Sequence, residues 1–377
     1  MEYELKISTL RLFVQAIPEE DRTPQKIREV VTQKSSMNNF ELDETQLEEI
    51  SRIFENQFNV RQSFGFVVKK ENSEPWWQKS VEDGLATHYS SRFHQYVLQD
   101  NEAQLPVTVA NRTNEITDEI IDLAGNPDLE GHWKRRGMVI GHVQSGKTLN
   151  YSSVITKAAD AGYRIIILLA GITNSLRRQT QDRIDHSFIG LQSSEANIST
   201  SRIGAAEYVM TDETVRHPNY LTSLERDFLK SSALATKGMQ FGTSTEPMIF
   251  VCKKNVSTLK NIYEFLGDMP GAGVAKEPFL LIDDEADNAS INTLLHQDKV
   301  TAINQSIRNI LSLFDKSSYI GYTATPFANI FIDPDTEDAM GNDDLFPSDY
   351  IKTLEAPTNY VGPNEVFGEH GHLRETM

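Results

Sequence analysis

The chain has 377 residues and a formal net charge of −18. Its 39% hydrophobic and 24% charged residues are typical of a folded globular protein and exclude a disordered one. An acidic chain of this kind is not a general binder of polyanions, because affinity for a phosphate backbone needs concentrated Lys and Arg, so any contact with nucleic acid must be local.

No membrane segment is predicted. The longest clear apolar run, Ile165 to Ala170, is far shorter than the roughly 20 residues that a membrane helix needs. The first residues, Met1 to Lys6, lack the basic region and apolar stretch of a secretory signal. We therefore expect a cytoplasmic location.

Residues 1–125 carry helical patterns, and we predict that they form a helical N-terminal domain. Thr23 before Pro24 is typical of a helix start. Apolar side chains recur at helical spacing further on, and their spacing predicts a buried face. They include Leu47, Ile50, Ile53, Phe54 and Phe58.

From about Arg136 short apolar runs alternate with helical stretches, and this alternation is the signature of a parallel sheet covered by helices on both faces. The predicted strands are Met138–Ile140, Arg164–Ala170, Met248–Cys252, Pro278–Asp283 and Ser318–Thr323. The predicted helices are Lys147–Ala159, Asn174–Phe188, Asn255–Leu266 and Asn304–Leu313. We predict an α/β domain over residues 126–335, with a polar, partly structured insertion at 190–246 and an acidic, loop-like extension at 336–377.

Residues 141–148 read GHVQSGKT and match the phosphate-binding loop pattern G-x-x-x-x-G-K-[ST]. The loop lies between a predicted strand and a predicted helix, so its backbone N–H groups and the helix N-terminus would converge on phosphate oxygens. Lys147 would reach the β- and γ-phosphates of ATP, and Thr148 would hold Mg²⁺. The predicted nucleotide contacts are Gly141, Gln144, Ser145, Gly146, Lys147 and Thr148.

An acidic pair follows the predicted strand that ends at Asp283, in the position where an ATPase keeps a Mg²⁺ ligand and a water-orienting base. We assign Asp284 to the metal and Glu285 to the attacking water. Asp283 is a third carboxylate directly before this pair, so the sequence leaves the assignment of the two roles open by one residue. The alternative interpretation of Asp287 is that of an acidic residue at a helix N-terminus, stabilised by the helix dipole, rather than a site residue.

The sequence Thr-Ala-Thr-Pro at 323–326 also follows a predicted strand. With the Gly-Lys-Thr and Asp-Glu-Ala-Asp motifs, in this order, it resembles the first RecA-like domain of superfamily-two helicases and translocases. The resemblance implies that Thr323 and Thr325 lie at the nucleotide site and link nucleotide state to nucleic-acid handling. It also implies a DNA-facing element after the second strand, where Arg177, Arg178 and Arg183 would contact phosphates. The alternative for these arginines is a solvated helix face.

The amino-acid sequences of these motifs are also similar to those of the Z1 domain family, over roughly residues 75–370. This similarity rests on GHVQSGKT, on KAADAGY at 157–163 and on DEADNASIN at 284–292. Members of that family are bacterial proteins, often labelled endonucleases, of restriction-modification or phage-defence clusters. The resemblance implies ATP and Mg²⁺ as cofactors, and DNA together with a nuclease, methyltransferase or MutL-like ATPase as partners.

Two functions are consistent with these motifs. The first is a helicase- or translocase-like ATPase acting on DNA, and the second is a nucleotide-gated interaction module with little turnover. Superfamily-two enzymes take an arginine from a second RecA-like domain, and we expect the extension at 336–377 to lead towards such a domain, without which hydrolysis would be slow. An endonuclease is less well supported, because the only Glu-x-Lys triplet, Glu4 to Lys6, has no aspartate before it.

Overall fold

The computed structural model describes residues 2–18, 24–38, 40, 42–43, 46–47, 50–51, 54, 65–70, 74–99, 107–141, 146–194, 201–208, 215–231, 245–269, 276–288, 290, 301–326 and 345–354. The chain divides into two compact units. The first comprises Met1–Ser63, Asn101–Arg112 and Ala356–Met377, and the second comprises Phe64–Asp100 and Thr113–Glu355.

The first unit contains the helices α1 (Glu2–Gln15) and α2 (Pro24–Met37). Their buried apolar residues recur three or four positions apart, as the inner faces of packed helices require. This core consists of Leu10, Val14, Ile17, Ile27, Val31, Ile50 and Phe54. The predicted burial of Ile50 and Phe54 is confirmed, whereas Ile53 and Phe58 lie outside the described residues.

The second unit is built on one sheet, whose eight described strands lie in the order β1-β8-β2-β7-β6-β3-β5-β4. All neighbouring strands are parallel except the antiparallel pair of β1 and β8. The strands are β1 (Val67–Lys69), β2 (Trp133–Gly141), β3 (Ile165–Ala170), β4 (Asn219–Tyr220), β5 (Met248–Cys252), β6 (Phe279–Asp284), β7 (Lys316–Thr323) and β8 (Tyr350–Leu354).

Both faces of this sheet are buried. Along β3, Ile166 and Leu168 belong to one apolar cluster, while Ile165 and Ile167 belong to another. The helices described in this unit are α3 (Trp77–Glu82), α4 (His88–Gln99), α5 (Val107–Ala124), α6 (Lys147–Ala161), α7 (Asn174–Ile184), α8 (Val256–Gly267) and α9 (Ala302–Ser312). The first residues of α5, up to Arg112, belong to the first unit. A π-helix at Asp185–Ile189 continues α7, and a 3₁₀ helix spans Gly204–Glu207. The predicted α/β architecture with a largely parallel sheet is therefore confirmed.

The predicted domain boundary near residue 125 is not where the compact units divide. Trp77, Tyr89, Ile116 and Ile120 lie in the same buried cluster as Tyr151 of α6. Their helices thus cover one face of the sheet and belong to the second unit. Helical periodicity marks a buried face, but it does not show which core that face joins.

The extension predicted at 336–377 contains a strand of the sheet. β8 pairs with β2 in parallel register, with Gly137 opposite Tyr350 and Gly141 opposite Leu354. Its residues alternate between buried and half-buried, so it lacks the continuous apolar run of a central strand. The insertion predicted at 190–246 likewise contributes β4, which pairs with β5. No helix among the described residues has the length and apolar character of a membrane span.

Candidate nucleotide-binding site

The sequence motifs meet at the carboxyl edge of the sheet. Parallel pairing places Ile140 of β2 opposite Thr323 of β7, and Tyr322 of β7 opposite Asp284 of β6. Asp284 in turn lies opposite Ala170, the last residue of β3. Because parallel strands end at the same edge, the loops that follow β2, β7, β6 and β3 are neighbours.

Lys147 connects the two ends of the phosphate loop. Residues 142–145, which include the predicted contacts Gln144 and Ser145, lie outside the described residues. Gly146 has a φ of 79°, a left-handed conformation that glycine adopts without strain, and α6 begins at the next residue. The ammonium of Lys147 donates a hydrogen bond to the carbonyl oxygen of Gly141 at 3.0 Å. Its side chain therefore reaches from the start of α6 back to the last residue of β2.

Several carboxylates lie near the Lys147 ammonium at this edge. Burial lowers the pKa of the Lys147 ammonium, and the carboxylates of Asp284, Asp287 and Glu285 act in the opposite direction. Burial and the Glu285 charge raise the pKa of Asp284, which Lys254 and Lys147 partly offset. Such mutual effects place two cations, Lys147 and Lys254, and several carboxylates within electrostatic range of each other.

Glu285 has a strained backbone. Its φ of 56° makes it the one residue other than glycine with a positive φ among those described. Its Oε2 atom lies 3.3 Å from the position that a β-carbon would take at Gly171, the residue that follows β3. A non-glycine residue in this conformation costs on the order of 1–3 kcal/mol, and such strain clusters at functional sites. The turn thus directs the Glu285 carboxylate away from β6 and over the end of β3.

Asp287 joins the acidic turn to the end of β7. The hydroxyl of Thr323 donates to Asp287 Oδ1 at 2.7 Å, and the hydroxyl of Thr325 donates to Asp287 Oδ2. Asp287 lies in a turn, so its interpretation as a helix N-terminal residue is wrong. The predicted site residues Thr323 and Thr325 thus lie at the edge, and both hydroxyls are hydrogen-bonded to the Asp287 carboxylate. Sequence reasoning missed this role of Asp287, although the two hydroxyl residues that flank Ala324, at and just after the end of the adjacent strand, were a usable signal.

Asp283 belongs to the interior of the sheet. Its carboxylate forms an ion pair with Lys254 at 2.7 Å, both side chains being 0% exposed, and accepts a hydrogen bond from the Tyr319 hydroxyl at 2.8 Å. Lys254 also donates to the carbonyl oxygens of Glu285 and Asn288. Asp283 is therefore an interior residue, whereas Asp284, Glu285 and Asp287 lie at the edge.

The three arginines predicted to contact DNA do not form one surface. Arg177 is 3% exposed and donates to the carbonyl oxygens of Ser223 and Leu224, at 2.8 Å each. Its assignment to DNA is therefore wrong, because the segment from the insertion covers it. Arg183 donates to Thr148 Oγ1 at 3.1 Å, beside the phosphate loop. Arg178 is exposed, and within the described parts of the loop and the insertion no residue makes such a contact with it.

The oxygen donors at this edge fit Mg²⁺. Thr148 supplies a hydroxyl at the start of α6, and Asp284 supplies a carboxylate at the end of β6. Within the described part of the chain there is no group of three or more His, Cys, Asp or Glu side chains that would form a complete metal cage. Mg²⁺ is typically held by one or two protein ligands together with phosphate oxygens, so this sparse donor set is suitable for it.

No known family model and no curated protein matches the chain. Among solved structures, the crystal structure of FtsY from Mycoplasma mycoides aligns over 84% of this chain and 78% of its own, with 12% sequence identity and a TM-score of 0.20. A likeness this weak carries no argument about fold or function. The interpretation of the site therefore depends on its own residues.

Proposed function

We propose that this protein binds and hydrolyses ATP·Mg²⁺ in a RecA-like domain and acts as a helicase- or translocase-like module on DNA. The observation that carries the proposal is the meeting of Lys147, Thr148, Asp284 and Glu285 at one edge of a parallel sheet. The sequence similarity of the motifs alone supports a role in a bacterial restriction-modification or phage-defence system, with nuclease, methyltransferase or MutL-like partners.

Each residue at the edge has a distinct role in the proposed reaction. Lys147 would exchange its bond to the Gly141 carbonyl for phosphate oxygens, and the N-terminus of α6 would face the same phosphates. Thr148 and Asp284 would hold Mg²⁺, which when bound neutralises charge that develops on the phosphoryl group. Glu285 would orient the attacking water and accept its proton.

The first experiment measures ATP hydrolysis with and without double-stranded DNA. We expect DNA to stimulate turnover in the wild-type chain, and Glu285→Gln to reduce turnover by roughly 10²-fold or more while ATP still binds. Glu82→Gln, which changes an exposed glutamate on α3 in the same way, serves as the matched control. Turnover by Glu285→Gln equal to that of the control would exclude Glu285 as the base.

ATP binding is tested separately with Lys147→Ala. Loss of the ammonium that bridges the loop should weaken ATP affinity by about tenfold or more, since charge-assisted hydrogen bonds to phosphate are strong. The affinity is measured by titration calorimetry in the presence of Mg²⁺. An unchanged ATP affinity would contradict the assignment of the phosphate loop.

The alternative is a nucleotide-gated interaction module with little turnover. It is favoured by the link from Asp287 to Thr323 and Thr325, which couples the acidic turn to the end of β7 without any need for hydrolysis. This function predicts ATP binding with no turnover above that of Glu285→Gln, with or without DNA. The hydrolysis assay therefore distinguishes the two functions.

A further inference from the structure

We propose that Lys254 is a positioning residue, which holds the acidic turn at residues 285–288 in the conformation that places the Glu285 carboxylate at the edge of the sheet. The inference rests on the proposed ATPase function, which gives Glu285 its task there. The Lys254 side chain is fully buried and therefore unavailable to a nucleotide. It would act on hydrolysis through the backbone of Glu285 and not by contact with ATP.

The Lys254 ammonium joins both ends of the turn to the interior of β6. It lies 2.7 Å from Asp283 Oδ1, and it donates hydrogen bonds to the carbonyl oxygens of Glu285 and Asn288. The turn is closed by a hydrogen bond from the Asn288 N–H group to the Glu285 carbonyl oxygen at 2.8 Å. One buried cation thus binds the first and the last residue of the turn.

The turn contains the strained backbone of Glu285. A φ of 56° is disfavoured for a residue with a side chain, and such a conformation persists only where surrounding contacts fix it. On the side of β7, the N–H group of Ala286 donates to the Tyr322 carbonyl oxygen at 2.9 Å. On the side of β5, Lys254 supplies the contacts. Without its ammonium the Glu285 carbonyl would lose its charged partner, and the turn would be free to relax.

Lys254 also fixes the loop over which the Glu285 side chain lies. Its backbone N–H group donates to the carbonyl oxygen of Gly171 at 2.8 Å, and Gly171 directly follows β3. The same residue therefore binds Gly171 and the backbone of Glu285, and so holds the carboxylate and the loop beneath it together. A displacement of about 1 Å at a reacting group lowers a rate by up to roughly 10²-fold, so loss of this constraint should reduce turnover.

The test compares turnover with ATP affinity in Lys254→Met combined with Asp283→Leu. Both charges are removed together, so no unpaired charge remains buried. We expect turnover per binding site to fall by roughly tenfold or more. The Kd for ATP·Mg²⁺ should stay within about threefold of wild type, because Lys147 and Thr148 are unchanged. Titration calorimetry gives this Kd, and its stoichiometry gives the folded fraction by which turnover is divided.

A second buried lysine provides the matched control. The ammonium of Lys157 donates to three oxygen atoms on α5, which include the Asp118 carboxylate at 2.6 Å. Lys157 lies on α6 ten residues after Lys147, which corresponds to roughly 15 Å at about 1.5 Å per residue. Lys157→Met combined with Asp118→Leu should leave turnover per binding site within about twofold of wild type. Equal losses in the two double variants would contradict positioning by Lys254.

Hydrogen exchange tests the contact of Lys254 with the turn without any need for turnover. The amide of Asn288 should exchange roughly tenfold faster or more in the Lys254 double variant than in the control, because the turn opens more often. An unchanged exchange rate at Asn288 would overturn the proposal. Wild-type protein without turnover would instead contradict the proposed ATPase, and exchange would still decide whether Lys254 holds the turn.

Lys254→Arg keeps the proposal testable if the double variant folds poorly. Arginine retains the charge, yet its planar fork presents its donors in a different geometry from that of an ammonium. We expect turnover per binding site to fall severalfold in this variant, with ATP affinity unchanged. Turnover equal to that of wild type in both Lys254 variants would show that the acidic turn keeps its conformation without the lysine.

Discussion

The ion pair between Lys254 and Asp283 shows how a charge that looks functional in the sequence serves the fold. Lys254 follows β5, and Asp283 is the last residue but one of β6; these two apolar strands lie on either side of β3 and end at the same edge of the sheet. In the sequence, both positions are compatible with contact to solvent or to a ligand. Instead both side chains are fully buried, and Lys254 also fixes two carbonyl oxygens of the acidic turn. This pair therefore supports the backbone that carries Glu285.

Removing one partner of this pair should be costly. We expect Asp283→Asn to lower the free energy of unfolding by about 3–5 kcal/mol, because the Lys254 ammonium would remain buried without its counter-charge. Lys254→Met combined with Asp283→Leu should cost much less, since no charge remains buried. The measurement is chemical denaturation, and a loss below about 1 kcal/mol for Asp283→Asn would contradict the expected burial of the charge.

Arg183 lies beside the proposed nucleotide site. Its guanidinium contacts the Thr148 hydroxyl, so it lies where the phosphates of ATP would bind. We expect Arg183→Ala to weaken ATP affinity by roughly three- to tenfold and to leave DNA affinity unchanged. Arg178→Ala, one turn and a half earlier on the same helix, is the matched comparison. Equal effects of both variants on ATP affinity would contradict this assignment.

At the scale of elements, the carboxylate of Asp160 on α6 caps a different helix. It accepts hydrogen bonds from the backbone N–H groups of Tyr89 and Ser90 at 2.8 Å each, and from the Ser90 hydroxyl at 2.6 Å. These N–H groups belong to the first turn of α4 and have no partner within the helix. The phosphate-loop helix and α4 are thus joined by a cap as well as by apolar packing.

Loss of this cap should be measurable locally. We expect Asp160→Ala to lower the free energy of unfolding by about 1–2 kcal/mol and to speed amide hydrogen exchange at Tyr89 and Ser90. Asp182→Ala on the exposed face of α7 should change stability by less than about 0.5 kcal/mol. Unchanged exchange at Tyr89 and Ser90 would show that the cap does not stabilise the start of α4.

At the scale of the whole molecule, stability should depend on the pH through Asp185. This carboxyl accepts hydrogen bonds from Gln181 and Ser193, yet burial raises its pKa from 3.8 to about 6. Between these two values the folded state holds a proton that the unfolded state has released. The contribution of Asp185 to stability is therefore largest below pH 4 and falls as the pH rises towards 6.

The sign of this dependence can be tested with Asp185→Ala. The destabilisation caused by this variant should shrink by up to about 3 kcal/mol between pH 4 and pH 7, as a difference of about two pKa units implies. Denaturation of both proteins across this range gives the comparison. A destabilisation that instead grows with pH would mean that the ionised carboxylate is the favoured form in the folded protein.

The sequence by itself determined the central strands and the order of the motifs. β3, β5 and β6 are covered on both faces, so each is a continuous apolar run that the sequence displays directly. The glycine, lysine and threonine of the phosphate loop and the acidic pair were likewise identified from residue type and spacing. Parallel strands end at one edge, and therefore their meeting was predictable as well.

Only the tertiary structure decided which polar residues face the site. β1 and β4 are short edge strands and β8 is half-buried, so none of them shows the pattern of a core strand. Arg177 is buried by a segment more than forty residues later in the chain. Asp287 accepts hydrogen bonds from Thr323, at the end of another strand, and from Thr325 just after it. Such contacts join residues distant in the chain, and local spacing carries no information about them.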